Sequence, residues 1–426
     1  MMRTLKCSSL GIALAFFTLF AVFAGGAWAE EVVIGYTGPL SGPAAQYGRD
    51  CLAGVELAVE DINRAGGIKI DGKAYTFKVA SYDDMIDPTA AVNNSRRLVS
   101  REKAVAVFNP VFNTIAAMMQ INEQRGSEFL MMAYTSTPAL DKIPNQLTVA
   151  IPPPFAAYAI AFADRAWEKG WRKGAMVVTL GAYGDEWRKE FRRVWEAKGG
   201  EITADQPANY YTETDFSSHL AAALATNPEF LLVGGPSDPT GLVIEQAKNL
   251  GFKGGFMMVD QAKLNYIVDV TFKGDITKMN NVWGVVRTLD LGVHSETQAL
   301  IDRFVQEKNI KVPTSENFLN YSAMRILAAA MVKAGTVSDP AKIKAAFNEV
   351  LPLPVEDNPI MYVGLQGSRL LVQASIQFIE ENEYKTPIQS FWWIDDEKEL
   401  QRLVDMQPPE HKVHRRILPL EGYVMK

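Results

Sequence analysis

Four histidines and two cysteines are all that a chain of 426 residues offers in imidazole and thiol groups. His219, His294, His411 and His414 show no His-Glu-x-x-His spacing, and no Cys-x-x-Cys occurs, so no zinc site is expected. A P-loop and a Gly-x-Gly-x-x-Gly are missing too, which leaves nucleotide chemistry without a motif. Ser41 lies in Gly38-Pro-Leu-Ser-Gly42 and lacks the Gly-x-Ser-x-Gly spacing of a nucleophile elbow. These absences argue against an enzyme and against a resident cofactor. Positive charge is not in excess either: 43 Lys and Arg face 49 Asp and Glu, and nothing points to nucleic acid as a partner.

Long apolar runs are absent beyond the first 29 residues. Leu10 to Phe23 is almost uncharged but short for a membrane span of roughly 20 residues. With Arg3 and Lys6 before it and Ala27-Trp-Ala29 after it, the stretch reads as a signal peptide cut after Ala29. Cys7 precedes the apolar core, whereas lipid attachment needs a cysteine just after it. Removing residues 1–29 takes two of the 43 positive charges, leaving 41 against 49 and a net charge of about −8. Only Cys51 survives, so no intrachain disulfide is available even in a compartment that permits one. Lying among apolar residues of the first helix, Cys51 is expected to be buried and inert. The remaining 397 residues (426 less 29) exceed what one core supports, which predicts two or three domains.

What is present is an alternation of short apolar runs and helical periods. Val32 to Tyr36 reads as a strand, followed by a helix with Leu52, Val55, Val59 and Ile62 on one face and Gly66-Gly67 at its end. The pattern recurs at Phe77 to Tyr82, Ala104 to Phe108 and Phe129 to Met132, each but the last leading into a helix. Such alternation predicts a parallel sheet covered on both faces. Ile151-Pro-Pro-Pro154 breaks it and suits a crossing between lobes. A second series follows, with strands at Gly174 to Thr179, Glu201 to Thr203, Phe230 to Gly234 and Gly255 to Val259. The predicted fold class is therefore α/β, with two doubly wound parallel-sheet lobes. Trp392 and Trp393 are expected to lie half in the core and half at the surface.

Asp83, Asp84 and Asp87 resemble a metal cluster only at first sight. Asp87-Pro88 places a capping carboxylate before a proline at the first helical position, and Asp83 and Asp84 are expected to hold loop geometry. In open α/β sheets ligands bind outside the carboxyl ends of the strands. Two loops there are rich in capping groups: Asn109-Pro-Val-Phe-Asn-Thr114, where Asn113 or Thr114 can cap a helix, and Ala133-Tyr-Thr-Ser-Thr-Pro138, with Ser136 and Thr137. Free N–H groups at two such helix starts can hold a carboxylate without a lysine or arginine.

Ile34-Gly-Tyr-Thr-Gly-Pro-Leu-Ser-Gly-Pro43, Tyr82-Asp-Asp-Met-Ile-Asp-Pro88, the Tyr183-Gly-Asp185 turn, Thr214-Asp-Phe216 and Gly234-Gly235 occur in that order after the leader. Together they resemble the leucine/isoleucine/valine-binding family of extracytoplasmic solute-binding proteins of ABC importers. The resemblance implies a periplasmic, non-enzymatic, monomeric protein that closes on one small molecule and delivers it to a membrane permease. It implies three hinge crossings, with residues 30–150 and 284–365 in lobe one and residues 151–283 and 366–426 in lobe two. It also implies ligand contacts from Phe112, Asn113, Thr114, Tyr134 and Ser136, from Tyr47 at the cleft edge, from Tyr183 closing over the ligand, and from Asp260 on an ammonium. Val111-Phe112-Asn113 replaces the family's serine-rich stretch, Tyr134 stands where a small residue is usual, and Pro236 replaces an aromatic. The implied ligand is a branched-chain or other apolar amino acid. An amine-free aromatic or aliphatic carboxylate, or a sensing role for a signalling partner, is the alternative.

Overall fold

The computed structural model describes residues 29–286, 295–407 and 412–424. Residues 1–28 of the leader, His294 and His411 lie outside the described residues.

The first half alternates strands and helices: β1 (Glu30–Gly38), α1 (Ala45–Arg64), β2 (Ile68–Ile70), β3 (Lys73–Asp83), α2 (Pro88–Ser100), β4 (Ala106–Asn109), α3 (Phe112–Met118), β5 (Leu130–Ala133) and β6 (Thr148–Ala150). After the proline run come α4 (Phe155–Glu168), β7 (Lys173–Val178), α5 (Ala182–Ala197), β8 (Glu201–Asp205), α6 (Ser217–Leu224), β9 (Phe230–Gly234), α7 (Ser237–Asn249), β10 (Gly255–Met258), α8 (Leu264–Tyr266) and β11 (Val282–Val285). Four helices follow, α9 (Ser295–Glu307), α10 (Ser315–Ala334), α11 (Pro340–Ala345) and α12 (Phe347–Val350). The chain ends with β12 (Leu365–Gln366), β13 (Arg369–Leu370), β14 (Ala374–Glu380), β15 (Glu383–Tyr384), β16 (Ile388–Phe391), α13 (Glu397–Asp405) and β17 (His414–Ile417).

Two sheets result. The first has eight strands in the order β12, β13, β6, β5, β4, β1, β3, β2, and the second has nine, with β17, β16, β14, β11, β10, β9, β7, β8 in line and β15 beside β14. Pairing within each central run is parallel. Parallel strands need cover on both faces, and the two-residue period supplies it. In β4, Ala106 and Phe108 join the core under α1 and α10, while Val107 joins the opposite core with Leu98 and Ile115. In β7, Met176 and Val178 face one core and Ala175 and Val177 the other. The fold is the α/β arrangement of two parallel-dominated sheets that the alternation predicts.

The inferred crossing points shift by a few residues. Val282–Val285 pairs with both β10 and β14, so hydrogen bonding keeps it whole in the second sheet, past residue 283. Arg369 pairs with Ala150 in the first sheet, so the chain stays there beyond residue 366. The proline run does carry the chain between sheets: Ile151 is buried in the first core and Phe155 in the second. Trp392 and Trp393 are both fully buried, against expectation. The strand ends at Phe391, so the two-residue alternation no longer applies, and the Trp392 indole N–H donates to the Val372 carbonyl at 2.7 Å. Cys51 is buried and unbridged, and burial raises its thiol pKa well above the ordinary value.

Candidate ligand-binding site

A crevice opens between the carboxyl ends of the two sheets, and it has two chambers. The outer one leaves about 440 Å³ unfilled and is lined by Tyr47, Phe112, Tyr134 and Ser136 from the first sheet's side and Tyr183, Tyr211 and Asp260 from the second's. The inner one, beside the crossings, leaves about 470 Å³ unfilled between Tyr158, Val285, Val286, Leu319, Ile360 and Val372. Tyr134, Pro152, Asp260 and Lys263 belong to both walls.

The same βα corner places a tyrosine in each half. Tyr47 is followed by Gly48, where a Cβ would fall 1.9 Å from the Pro39 carbonyl oxygen. Tyr183 is followed by Gly184, where a Cβ would fall 1.8 Å from that of Thr179. Only glycine lets the helix start approach the strand end so closely, and each preceding tyrosine is thereby turned into the crevice. Tyr47 donates to the Pro110 carbonyl at 3.1 Å, and its ring meets Tyr134 edge-on at 6.1 Å between centroids. Such edge contacts fix ring positions as well as burying area.

Asp260 follows β10, and its Oδ1 accepts from the Tyr183 hydroxyl at 2.5 Å and the Trp187 indole N–H at 2.8 Å. The Tyr183 hydroxyl in turn accepts from the Gln261 amide at 3.1 Å. Burial, with Asp260's charge beside it, holds the Tyr183 phenol well above its ordinary pKa, so it remains a donor. Trp187 stacks on Phe155 at 4.7 Å, tying the carboxylate to the second core. The result is an acid in fixed orientation on the crevice wall.

Six of the eight expected contact residues meet in the outer chamber: Tyr47, Phe112, Tyr134, Ser136, Tyr183 and Asp260. Asn113 and Thr114 do not line it. The Thr114 hydroxyl is buried between two acceptors that share its one proton, Asn109 Oδ1 at 2.7 Å and the Val111 carbonyl at 2.8 Å, while Asn113 Oδ1 accepts from the Thr114 amide at 3.0 Å. Helix α3 starts at Phe112, two residues earlier than a cap at Asn113 would place it, so these polar groups serve the turn itself. Asp87 caps α2 through the Ala90 amide at 2.7 Å, and Asp84 is held by Thr37, Asn109 and the Ile86 amide. Among the described residues no cluster of His, Cys, Asp and Glu suits a metal ion.

Lys263, Glu316, Tyr158 and Tyr211 were not foreseen. Lys263 and Tyr211 lie in loops after strand regions, three residues past Asp260 and just past β8, yet no spacing marks them out. Glu316 sits in the first turn of α10, which follows no strand. Its place is set by packing, since Asn317 donates to the Asp50 carbonyl of α1 at 2.8 Å. Arg369 is another such residue: fully buried, it bonds Asp141 at 2.9 Å and the carbonyls of Thr135, Pro152 and Thr137, fixing the loop that bears Ser136.

The periplasmic binding protein family model matches residues 31–366, and the chain belongs to that family. Relatives within it include Leu/Ile/Val-binding proteins. The chain is 27% identical over 325 residues to the leucine-, isoleucine-, valine-, threonine- and alanine-binding protein of Pseudomonas aeruginosa, covering 75% of this chain and 82% of that one. It is 27% identical over 242 residues to the Leu/Ile/Val-binding protein of Escherichia coli, covering 55% of this chain and 63% of that protein's length. A branched-chain amino-acid transporter substrate-binding protein of Streptococcus pneumoniae, solved with isoleucine, superposes with a TM-score of 0.70 at 20% identity, over 84% of this chain and 99% of that one. That likeness confirms the fold. The family is one of solute-binding proteins, not enzymes, and among the described residues no helix is long and apolar enough to cross a membrane.

Proposed function

We propose that this chain is the extracytoplasmic receptor of an ABC importer and that it captures an apolar amino acid, a branched-chain one in the first instance, for delivery to a permease. The observation that carries this reading is the junction of an oriented carboxylate, Asp260, with an inner chamber walled by Val285, Val286, Leu319, Ile360 and Val372. An ammonium finds its counter-charge at the junction, and an aliphatic side chain is removed from water beyond it. Burying a branched side chain contributes about 1.5–3 kcal/mol. The P. aeruginosa and E. coli relatives bind ligands of this class.

The first lobe, with Tyr47, Phe112, Tyr134 and Ser136, receives the ligand, and the second brings Tyr183, Tyr211 and Asp260 over it. Closure follows only from contacts made in the closed state and absent in the open one. The ligand leaves chemically unchanged. The leader exports the chain, and the closed lobe pair, acting as a monomer, is what the permease recognises.

Lys263 on the wall shared by the chambers favours a second reading, an amine-free carboxylate stacked against Phe112 and Tyr134. A thermal-shift screen of residues 30–426 against amino acids and their amine-free analogues separates the two. Upward shifts with apolar amino acids support the first reading. Shifts with the amine-free acids alone support the second.

A further inference from the structure

Lys263 and Glu316 approach from opposite lobes and meet inside the crevice, with Lys263 Nζ 2.7 Å from Glu316 Oε1. Both side chains are almost fully buried, at 6% and 2% exposure. Lys263 precedes α8 in the second lobe, and Glu316 opens α10 in the first. The ion contact is close, yet neither Glu316 oxygen is met by a donor in hydrogen-bonding geometry. A buried carboxylate without aligned donors is costly, because it has lost water and gained only part of what water supplied.

We infer that the Lys263–Glu316 pair stands in for the ligand, and that a zwitterionic amino acid inserts into it, placing its ammonium on Glu316 and its carboxylate on Lys263. Each lobe then contributes one charge to the bound molecule. One internal ion pair becomes two, and the ligand's N–H groups supply the donors that Glu316 lacks. An ammonium carries three donors, enough to engage Asp260 on the same wall as well. The pair spans the lobes, so a variant missing one charge exposes the other to water simply by opening. A structural ion pair inside one core has no such escape. This inference rests on the amino-acid reading above and names two residues that discriminate for a zwitterion.

The test is calorimetric titration of residues 30–426 with L-leucine, with 4-methylpentanoate (leucine without its amine) and with 3-methylbutylamine (leucine without its carboxylate). Wild type is compared with Glu316→Gln, Lys263→Met and the double variant. Loss of a buried charged partner is expected to weaken L-leucine by about tenfold or more in either single variant. Glu316→Gln should weaken 3-methylbutylamine equally and leave 4-methylpentanoate as tight or tighter, because Lys263 no longer has an internal partner to displace, with Lys263→Met giving the converse. Should a single variant lose its circular dichroism signature, the double variant leaves no lone charge and must still lose L-leucine affinity. Wild-type affinity for L-leucine in both folded single variants, or in the double variant, overturns the inference and leaves the amino-acid reading intact. Silence of wild type toward L-leucine and every other amino acid would instead remove the reading on which it rests.

Discussion

The Tyr183 hydroxyl meets the Asp260 carboxylate at 2.5 Å, joining the first turn of α5, which follows β7, to the loop after β10 across the glycine-bearing end of β9. The contact gives the carboxylate a fixed orientation before any ligand arrives. It also makes the phenol a positioning group whose loss can be measured. Tyr183→Phe leaves Asp260 with only the Trp187 indole and deprives the Gln261 amide of its acceptor. Denaturant unfolding should show a loss of about 1 kcal/mol, and calorimetry should show weaker binding of amine-bearing ligands by about fivefold, near 1 kcal/mol. Unchanged amine affinity would mean that the orientation of Asp260 does not matter.

Gly184→Ala tests the corner that presents Tyr183. The new Cβ would lie 1.8 Å from a backbone oxygen that cannot swing aside, so the helix start must move. Overpacking of this kind costs about 1–3 kcal/mol, read as a lower denaturant midpoint, and ligand affinity should fall with it. Gly48→Ala should do the same to Tyr47 in the first lobe, where the distance is 1.9 Å.

Arg369 tests the frame of the site. Arg369→Met keeps the bulk but takes the charge from Asp141, which keeps Ser368 and Tyr423 as donors, and removes the guanidinium from the Thr135, Pro152 and Thr137 carbonyls. Removing one partner of a buried pair destabilises by about 3–5 kcal/mol, a drop that urea unfolding would register. A loss under about 1 kcal/mol would show that the loop bearing Ser136 is held by other contacts.

Asp50 makes stability depend on pH. Burial, then the nearby charge of Glu316, pushes its carboxyl from 3.8 up to about 8. Between those values the folded state keeps a proton that the unfolded chain has released, so the contribution is complete below the window and is lost as pH rises through it. The slope for one group is at most about 1.4 kcal/mol per pH unit. Asp50→Asn should flatten the decline in unfolding free energy between pH 5 and pH 8, and an unchanged profile would assign the decline to other groups.

Much of the frame was legible because it rests on local rules. Two-residue and helical periods located strands and helices, Asp87-Pro88 marked a helix start, and the proline run marked a crossing. The loops after strands yielded Ser136, whereas Tyr47, Phe112, Tyr134, Tyr183 and Asp260 came from the family resemblance and not from a local rule. Asn113 and Thr114 were expected at the crevice but do not line it, because a capping pattern cannot tell which residue begins the helix, and α3 begins at Phe112. Glu316, Arg369 and the walls of the inner chamber were invisible for a different reason. They are brought in by helix packing and edge-strand pairing between segments more than 200 residues apart, such as Arg369 and Thr135, and no local pattern encodes such a meeting.

The measurement that bears most directly on the central claim is a calorimetric titration of the unliganded mature protein with L-leucine beside 4-methylpentanoate. Capture of an apolar amino acid predicts that L-leucine binds at about micromolar affinity or tighter and that the amine-free analogue binds at least about tenfold more weakly. Equal or tighter binding of 4-methylpentanoate would contradict it and make the crevice a carboxylate site.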